Sequence, residues 1–297
     1  MLELQHDTLH DTFPFAPHYL HTRHCQMHYV DIGNGEPVVL LHGDPTWGYL
    51  YRHCIPPLAL QYRCIVPDHM GMGKSSVPGE PYPYRLQHHI ANFETFVLAL
   101  DLRNITLVLH DWGGPVGLGC AARHPARLKR LVLMNTWAFA RWPGGPFPRL
   151  LEMIRSPRGE TFVLEKNGYV RPALLGTTHH PEYLTPTILQ AYQAPFPTPA
   201  SRRALVCWSR DIPVHEDDPS YGDMQQVEEG LAQFKDIPVL LVWGMQDPVL
   251  PPAVLRRWQH LYPHATTCAI DDASHFVQED APDQVNNALN LFLQANP

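Results

Sequence analysis

Three side chains that could act together in nucleophilic catalysis each follow an apolar run in this chain of 297 residues. Asp111 comes directly after ITLVLH, Asp247 shortly after VLLVWG, and His275 shortly after TTCAI. An aspartate carboxylate needs no base to become anionic, so it can attack an electrophilic carbon and form an alkyl ester. A histidine can then take a proton from the water that hydrolyses this ester, while a second carboxylate stabilises the imidazolium. These residue types predict displacement at carbon followed by hydrolysis.

The residues around Asp111 predict a sharp turn between a strand and a helix. Positions 105–117 read ITLVLHDWGGPVG, an apolar strand that breaks at two glycines and continues into an apolar helix. Enzymes with the α/β-hydrolase fold present their nucleophile on such a turn, and their nucleophile, acid and histidine follow one another in the order seen here. Serine is usual at the nucleophile position. A serine would form a stable ether with an alkyl halide, whereas an aspartyl ester can be hydrolysed to restore the enzyme.

A second turn is predicted after the apolar strand that leads into HGDPTW at 42–47. The backbone N–H groups of Asp44 and Trp112 are expected to form an oxyanion hole for one carboxyl oxygen of Asp111. This turn therefore belongs to the same predicted site as the nucleophile.

Short apolar runs alternate with glycine-rich or helical segments, a pattern typical of a mostly parallel sheet covered by helices. Apolar residues at helical spacing predict a helix over 86–100, a second after Asp111, and a last over 282–293. The predicted strands lie at 27–31, 38–42, 64–67, 105–110, 131–134, 239–243 and 266–270.

Ten prolines cut the segment between 139 and 212 into short pieces. No buried strand fits there, and the segment falls between the fifth and sixth predicted strands. We therefore expect an inserted helical cap over the carboxyl ends of the strands, where open α/β sheets bind ligands. The predicted fold class is α/β, an α/β-hydrolase fold with a mostly parallel twisted sheet flanked by helices. The expected domains are a core of 1–139 and 213–297 and a cap of 140–212.

Composition argues against nucleic acid or a membrane as a partner. The formal net charge is −7 with only 22 Lys and Arg, so no basic surface is expected, and no apolar run is long enough to span a bilayer. The six cysteines contain no C-x-x-C pair, which favours reduced thiols. Metal-ligand spacing and a phosphate-binding glycine loop are both missing, so neither metal nor cofactor is expected. These features predict a cytoplasmic protein whose partners are a small, uncharged substrate and water.

Five motifs spread along the chain are specific as a set. They are HGDPTWGYLYR at 42–52, VPDHMGMGKSS at 66–76, LRNITLVLHDWGGPVGL at 102–118, AYQAPFPT at 191–198 and DDASHFVQED at 271–280. With them the chain resembles the haloalkane dehalogenases over nearly its whole length. This resemblance implies an α/β-hydrolase core with a helical cap, Asp111 as nucleophile, His275 as base, and a halide held partly by the indole N–H of Trp112.

The subfamilies of these enzymes differ in the position of the triad acid. One group carries it after the strand that here ends at Asn135, and an asparagine cannot serve as that carboxylate. The others carry it where Asp247 stands. The chain is therefore similar to the latter, in particular to the third subfamily.

A second group is similar to the chain through PFAPHYL at 14–20 and RCIVPDHMGMG at 63–73. These are the β-lactone decarboxylases of olefin biosynthesis, which use the same triad. In this alternative Asp111 would open the lactone and His275 would assist collapse to an alkene and carbon dioxide.

The chain departs from both groups at Asp44, where asparagine usually offers a second donor to the leaving group. An ionised carboxylate there would repel the nucleophile and a halide, unless burial raises its pKa. The first dehalogenase subfamily tolerates an acid here and adds a cap tryptophan, about where Phe162 falls. Trp137 is expected to wall the pocket, and by position Trp142 or Trp208 could also supply a donor.

Two further alternatives remain open from the sequence. An epoxide hydrolase uses the same nucleophile but needs cap tyrosines to protonate the opening oxygen, and Tyr169, Tyr183 and Tyr192 lie in the predicted cap. A non-catalytic binding module of the same fold is the other alternative. Such modules have usually lost part of the triad, whereas all three members are present here.

Overall fold

The structure is a computed structural model that describes residues 11–79, 82–143 and 149–297. Within these residues the strands form a single sheet, and their bounds are β1 Pro17–His21, β2 Gln26–Ile32, β3 Pro37–Leu41, β4 Arg63–Pro67, β5 Ile105–Asp111, β6 Leu128–Thr136, β7 Val239–Gly244 and β8 Thr266–Ile270. All seven predicted strands are present as β2 to β8, which confirms them. Strand β1 is an eighth strand that the sequence did not predict.

The strand order across the sheet is β1-β2-β4-β3-β5-β6-β7-β8. The pairs β1/β2 and β2/β4 are antiparallel, and every other neighbouring pair is parallel. The predicted, mostly parallel sheet is therefore confirmed. Because β3, β5, β6, β7 and β8 run in the same direction, the loops after them meet at one edge, and each predicted triad residue follows one of these strands.

Helices cover the sheet in the described part of the chain. Their bounds are α1 Ile55–Ala59, α2 Leu86–Ala99, α3 Gly113–Arg123, α4 Arg149–Arg155, α5 Pro157–Leu164, α6 Val170–Thr177, α7 Pro186–Gln193, α8 Arg203–Asp211, α9 Tyr221–Gly230, α10 Pro252–Leu261, α11 Val277–Asp280 and α12 Pro282–Ala295. None of them has the length and apolar content needed to cross a bilayer, within the ranges described.

The segment between β6 and β7 carries the short helices α4 to α8, several of which begin at or next to a proline. Proline is tolerated in the first turn of a helix, where its missing N–H would have no partner, but it interrupts longer helices. The described part of this segment contains no strand, as predicted. The division into core and cap at 140 and 212 stays a prediction.

Strand β1 was not predicted from the sequence. Four of its five residues are exposed, and it pairs with only one neighbour, β2, at the edge of the sheet. An edge strand with both faces near solvent shows no apolar alternation. The pattern that identified the other strands was therefore missing here.

The turn after β5 depends on close packing of backbone against backbone. All seven residues of β5 are buried, and Asp111 at its end has a φ of +50°. A Cβ atom on Gly113 would collide with the carbonyl oxygen of Leu41, and one on Gly114 with the side chain of Thr136. Only glycine fits where β5, β3 and β6 are pressed together in this way. The turn thus places Asp111, the predicted nucleophile, at the carboxyl edge of the sheet.

Candidate active site

The Asp111 carboxyl group lies at the carboxyl edge of the sheet, between the turn after β3 and the loop after β8. The backbone N–H of Asp44 donates a hydrogen bond of 2.9 Å to Asp111 Oδ1. The backbone carbonyl of Asp111 accepts a hydrogen bond of 2.5 Å from Thr136 Oγ1. Within the described residues the N–H of Trp112 makes no bond to this carboxyl group, so its part in an oxyanion hole stays a prediction. Oδ1 is therefore held, and Oδ2 is left to face the site.

His275 reaches Asp111 from the loop after β8. Its Nε2 lies 3.5 Å from Asp111 Oδ2, and its Nδ1 lies 2.8 Å from Asp247 Oδ2. The backbone N–H of His275 donates to the carbonyl of Thr177, which ties this loop to α6. Burial alone would lower the pKa of His275, but the carboxylates of Asp247 and Asp111 raise it to about 10. The imidazole is thus held between two carboxylates as a cation.

Asp247 is held in place by three donors in addition to the histidine. Its Oδ1 accepts from the backbone N–H groups of Val249 at 2.7 Å and Leu250 at 2.9 Å, and its Oδ2 accepts from Asn135 Nδ2 at 2.8 Å. Burial by itself would raise the pKa of Asp247, yet the charge and hydrogen bond of His275 hold it below its usual range. Asp247 is therefore an ionised, immobile partner for the imidazole.

Two further polar residues, Asn135 and His110, support these groups. The side chain of Asn135 also accepts from the N–H of Gly244 at 2.8 Å, so it joins the end of β6 to the loop that carries Asp247. His110 places Nε2 2.9 Å from the carbonyl oxygen of His275, and burial lowers the pKa of His110 to about 4. Neutral His110 donates to that carbonyl and thereby positions the backbone of His275.

A cavity of about 70 Å³ is lined in part by Asp111. Trp112 and Trp137 lie in its wall with ring centroids 5.1 Å apart in an edge-to-face arrangement, and Trp142 packs edge-on against Trp137. The described lining is mainly apolar and consists of Asp44, Pro45, Asp111, Trp112, Trp137, Trp142, Leu150, Leu151, Tyr169, Ala173, Thr177, Ile212, Val249, His275 and Phe276. Such a wall favours uncharged alkyl groups next to the reacting carboxylate.

The Asp44 side chain lies in the same wall and is buried. The hydroxyl of Tyr169 donates a hydrogen bond of 2.6 Å to Asp44 Oδ2, while Oδ1 is buried without a partner among the described residues. Burial raises the pKa of Asp44 well above its usual range, and the nearby charge of Asp111 adds to this, although the bond from Tyr169 opposes it. Burial thus shifts this acid toward its neutral form, the direction that the sequence requires.

The structure does not bring every predicted pocket residue together. Phe162 lies in helix α5, packs its ring against Gly168, and is not part of the described cavity wall. Trp208 lies behind the wall. Its ring centroid is 4.8 Å from that of Trp112, which it meets edge-on, and 3.7 Å from that of His89, on which it stacks. The expectation that Phe162 lines the pocket is thus not met, because short, proline-interrupted helices give no register from which a side-chain direction can be read.

Tyr169 is the main pocket residue whose role the sequence did not reveal. From the sequence it is only one of three tyrosines in the predicted cap, and its hydrogen bond to Asp44 joins positions 125 residues apart. Among the described residues no group of three or more His, Cys, Asp or Glu side chains is arranged to hold a metal ion.

Comparisons with known proteins show the fold family of the chain. A sequence profile of the α/β hydrolase fold matches residues 36–282. The chain is 37% identical to the cis-3-alkyl-4-alkyloxetan-2-one decarboxylase of Shewanella oneidensis, over 97% of this chain and 90% of that protein. It is 34% identical to haloalkane dehalogenase 1 of Mycobacterium bovis, over 95% of this chain and 94% of that protein.

A solved structure is similar as well. The haloalkane dehalogenase of Agrobacterium tumefaciens C58 superimposes with a TM-score of 0.86 at 30% identity, covering 95% of this chain and 97% of that one. An oxetan-2-one is a β-lactone, so both groups that the sequence resembles are found among these relatives. The predicted resemblance and the predicted fold class are confirmed.

Proposed function

The chain belongs to the α/β-hydrolase fold family, and within it we propose that the chain is a hydrolase that cleaves the carbon–halogen bonds of haloalkanes to give an alcohol and a halide. The observation that carries this proposal is the position of His275, with Nε2 3.5 Å from Asp111 Oδ2 and Nδ1 on Asp247. A histidine there can activate water beside an ester formed on the nucleophile. Hydrolysis of a covalent intermediate needs this arrangement.

In the first step Asp111 Oδ2 attacks the carbon that carries the halogen. The Asp44 N–H holds Oδ1, so the attacking oxygen is presented in a fixed direction. The carbon–halogen bond breaks with its electron pair, and the halide leaves without a proton. The indole N–H of Trp112 and the neutral acid of Asp44 are the proposed donors that stabilise the departing anion.

In the second step water attacks the carbonyl carbon of the new ester. Ester formation removes the charge of Asp111, one of the two carboxylates that hold the pKa of His275 near 10. His275 then becomes able to lose its proton and act as a base toward water, while Asp247 stabilises the imidazolium that results. The Asp44 N–H supports the tetrahedral oxyanion, which collapses to the alcohol and free Asp111. In this scheme the reaction requires no cofactor.

A second candidate is the decarboxylation of cis-β-lactones. It is favoured by identity, because the decarboxylase of Shewanella oneidensis is 37% identical to the chain and the dehalogenase of Mycobacterium bovis 34%. Here Asp111 would open the lactone ring, and the carboxylate released would be lost as carbon dioxide when the alkene forms and Asp111 leaves. No water takes part in that collapse, so it makes less use of the activated His275.

Two broader predictions accompany this function. The helical segment 140–212 is proposed as a cap that covers the substrate on the core. The cytoplasm is the proposed compartment, since the described cysteines are all free thiols and reduced thiols are usual there. Water and a small halogenated or otherwise apolar substrate are the proposed partners.

Product analysis of the purified protein separates the two candidates. We would offer 1-bromohexane or 1,2-dibromoethane in one reaction and a cis-β-lactone with two alkyl arms in another, and measure bromide by ion chromatography and alkene by gas chromatography. Asp111→Asn is the matched control, because it keeps the shape of the side chain and removes the anionic nucleophile. Bromide without alkene supports the dehalogenase, alkene without bromide identifies the decarboxylase, and equal turnover by Asp111→Asn contradicts both.

A further inference from the structure

A single carboxyl group joins the loop that carries His275 to the segment that follows α6. Asp280 is the last residue of α11 and is buried. Its Oδ2 accepts hydrogen bonds from the backbone N–H groups of Ser274 at 2.8 Å and His179 at 3.0 Å, and its Oδ1 accepts from the N–H of His180 at 2.8 Å. One side chain thus binds the residue before His275 and two residues just beyond α6.

The backbone of His275 is held on both sides. Its N–H donates to the carbonyl of Thr177, the last residue of α6, at 3.0 Å, and its carbonyl oxygen lies 2.9 Å from His110 Nε2. With the contact to Asp280, three polar groups of this loop backbone have fixed partners. The loop therefore has little freedom, and the imidazole stays 3.5 Å from Asp111 Oδ2.

The proposed nucleophile is held by a different set of contacts. Asp111 accepts hydrogen bonds from the N–H of Asp44 and the hydroxyl of Thr136, and the turn after it is packed against β3 and β6. The hydrogen bonds of Asp280 within the described residues do not reach this turn. A displacement of the His275 loop therefore leaves the attacking oxygen in place.

Helix α6 is also part of the cavity wall. Ala173 and Thr177 of this helix line the cavity, and so does Tyr169 immediately before it. The helix that would contact a bound substrate is thus the one whose last residue is bonded to His275. The residues that follow it are bonded to Asp280. These contacts link the position of the helix to the position of the imidazole.

We propose that Asp280 is a positioning residue that fixes His275 against α6, and that it is needed for hydrolysis of the ester on Asp111 but not for its formation. This inference rests on the proposed function, because it takes Asp111 as nucleophile and His275 as base. Asp280 is not part of the described cavity wall, so it acts through the His275 loop. A base must lie within hydrogen-bond reach of the water that it activates, so a small shift of this loop slows the second step alone.

The residue next to Asp280 provides a matched control. Glu279 pairs with Arg52 and accepts a hydrogen bond from the hydroxyl of Tyr192, in α7. This is a second contact between α11 and the helical segment, but it does not involve the His275 loop. Tyr192→Phe removes this contact, and it should leave the ratio of the two reaction rates unchanged.

Asp280→Asn keeps the shape of the side chain but replaces one carboxyl oxygen by an NH₂ group, which accepts none of the three N–H donors. In single turnovers of 1-bromohexane, bromide reports attack by Asp111 and 1-hexanol reports hydrolysis. We expect bromide to appear at the parent's rate and 1-hexanol about 10–100-fold more slowly. Intact-mass spectrometry should show more hexyl ester in Asp280→Asn than in the parent or Tyr192→Phe. Misfolding would instead lower the yields of both products together.

A second measurement needs no substrate. The groups that face the His275 imidazole are the carboxylates of Asp247 and Asp111 and the ring of His110. Asp280→Glu keeps the negative charge but places the carboxyl group one methylene further from the backbone. The imidazole should then move away from both carboxylates, and its pKa should fall below the parent value of about 10. A pH titration followed by ¹⁵N NMR of His275 measures this value.

The two measurements separate this inference from the proposed function. Where the parent releases bromide, slower hexanol with unchanged bromide in Asp280→Asn supports the inference, and equal slowing of both products overturns it. The same slowing of hexanol in Tyr192→Phe also overturns it, because any contact of the helical segment would then suffice. Where the parent releases no bromide, the dehalogenase proposal fails and the titration decides. A lowered pKa of His275 in Asp280→Glu then supports the positioning role, and an unchanged pKa overturns it.

Discussion

Asn135 donates a hydrogen bond of 2.8 Å to Asp247 Oδ2, the same oxygen that lies 2.8 Å from His275 Nδ1. The position at the end of β6 thus holds an amide that orients the acid from the next strand. An amide and a carboxylate at these two sites form a donor and acceptor pair, whereas two carboxylates would repel one another. Asn135 therefore adds a donor rather than a second negative charge beside His275. Its hydrogen bond favours the ionised form of Asp247 in a buried site.

Exchanging this pair gives the first prediction. Asp247→Asn alone should slow ester hydrolysis by about 10²–10⁴-fold, because the imidazolium loses its counter-charge. The double variant Asn135→Asp with Asp247→Asn returns a carboxylate to the neighbouring strand end and should recover at least about tenfold of that loss. Steady-state bromide release at saturating 1-bromohexane measures both rates. A double variant no faster than Asp247→Asn would show that only residue 247 can place the acid.

His275→Ala should trap a covalent adduct on Asp111. Attack on carbon needs no histidine, whereas breakdown of the ester does. Intact-mass spectrometry after incubation with 1-bromohexane should show one added hexyl group, and peptide mapping should locate it on Asp111. Asp111→Asn, treated in the same way, should remain unmodified. An unmodified His275→Ala protein, from a parent that releases bromide, would argue against the covalent mechanism.

The charge of Asp111 should control the protonation of His275. In the parent protein the pKa of His275 is raised to about 10, with Asp247 and Asp111 outweighing the effect of burial. Asp111→Asn mimics the neutral ester, so it should lower the pKa of His275. A pH titration followed by ¹⁵N NMR of the His275 imidazole measures this value in both proteins. No change in the titration would mean that Asp111 does not hold the proton.

The same pKa shift has a consequence for stability. A histidine pKa raised in the folded state stabilises the fold fully below the ordinary value of about 6.5 and loses this contribution as pH rises toward 10. The parent should therefore lose thermal stability between about pH 6 and about pH 9 more steeply than Asp111→Asn, in which the shift is smaller. Melting midpoints at the two pH values provide the measurement, and parallel losses would contradict the assignment.

Packing behind the nucleophile gives a prediction with an internal control. A Cβ on Gly114 would collide with the Thr136 side chain and lie 2.8 Å from the carbonyl oxygen of Trp137. Gly114→Ala should therefore destabilise the fold by about 1–3 kcal/mol. Gly176, in α6, has nothing within 4 Å of the same atom, so Gly176→Ala should stabilise by about 0.5–1 kcal/mol. Chemical denaturation of both variants tests the contrast, and equal effects would contradict the packing argument.

Much of this protein could be predicted from its sequence because the signals are local. A buried strand is a short apolar run, and a residue just past its end must lie at the carboxyl edge of a parallel sheet. Asp111, Asp247 and His275 each satisfy that rule, and the two glycines after Asp111 specify the turn that presents it. The edge strand β1 escaped this reasoning because its residues alternate in no regular way between core and solvent.

What only the tertiary structure decided depends on contacts between distant segments. The cap helices are too short and too often interrupted by proline for their side-chain directions to be read from periodicity, so Phe162 was expected in a wall from which it is absent. The protonation of Asp44 depends on burial and on Tyr169, a residue far along the chain. The sequence by itself predicts Asp111 as the residue that attacks. Only the fold shows that the neighbouring acid, Asp44, is buried and shifted toward its neutral form, because pKa values follow from surroundings that folding alone assembles.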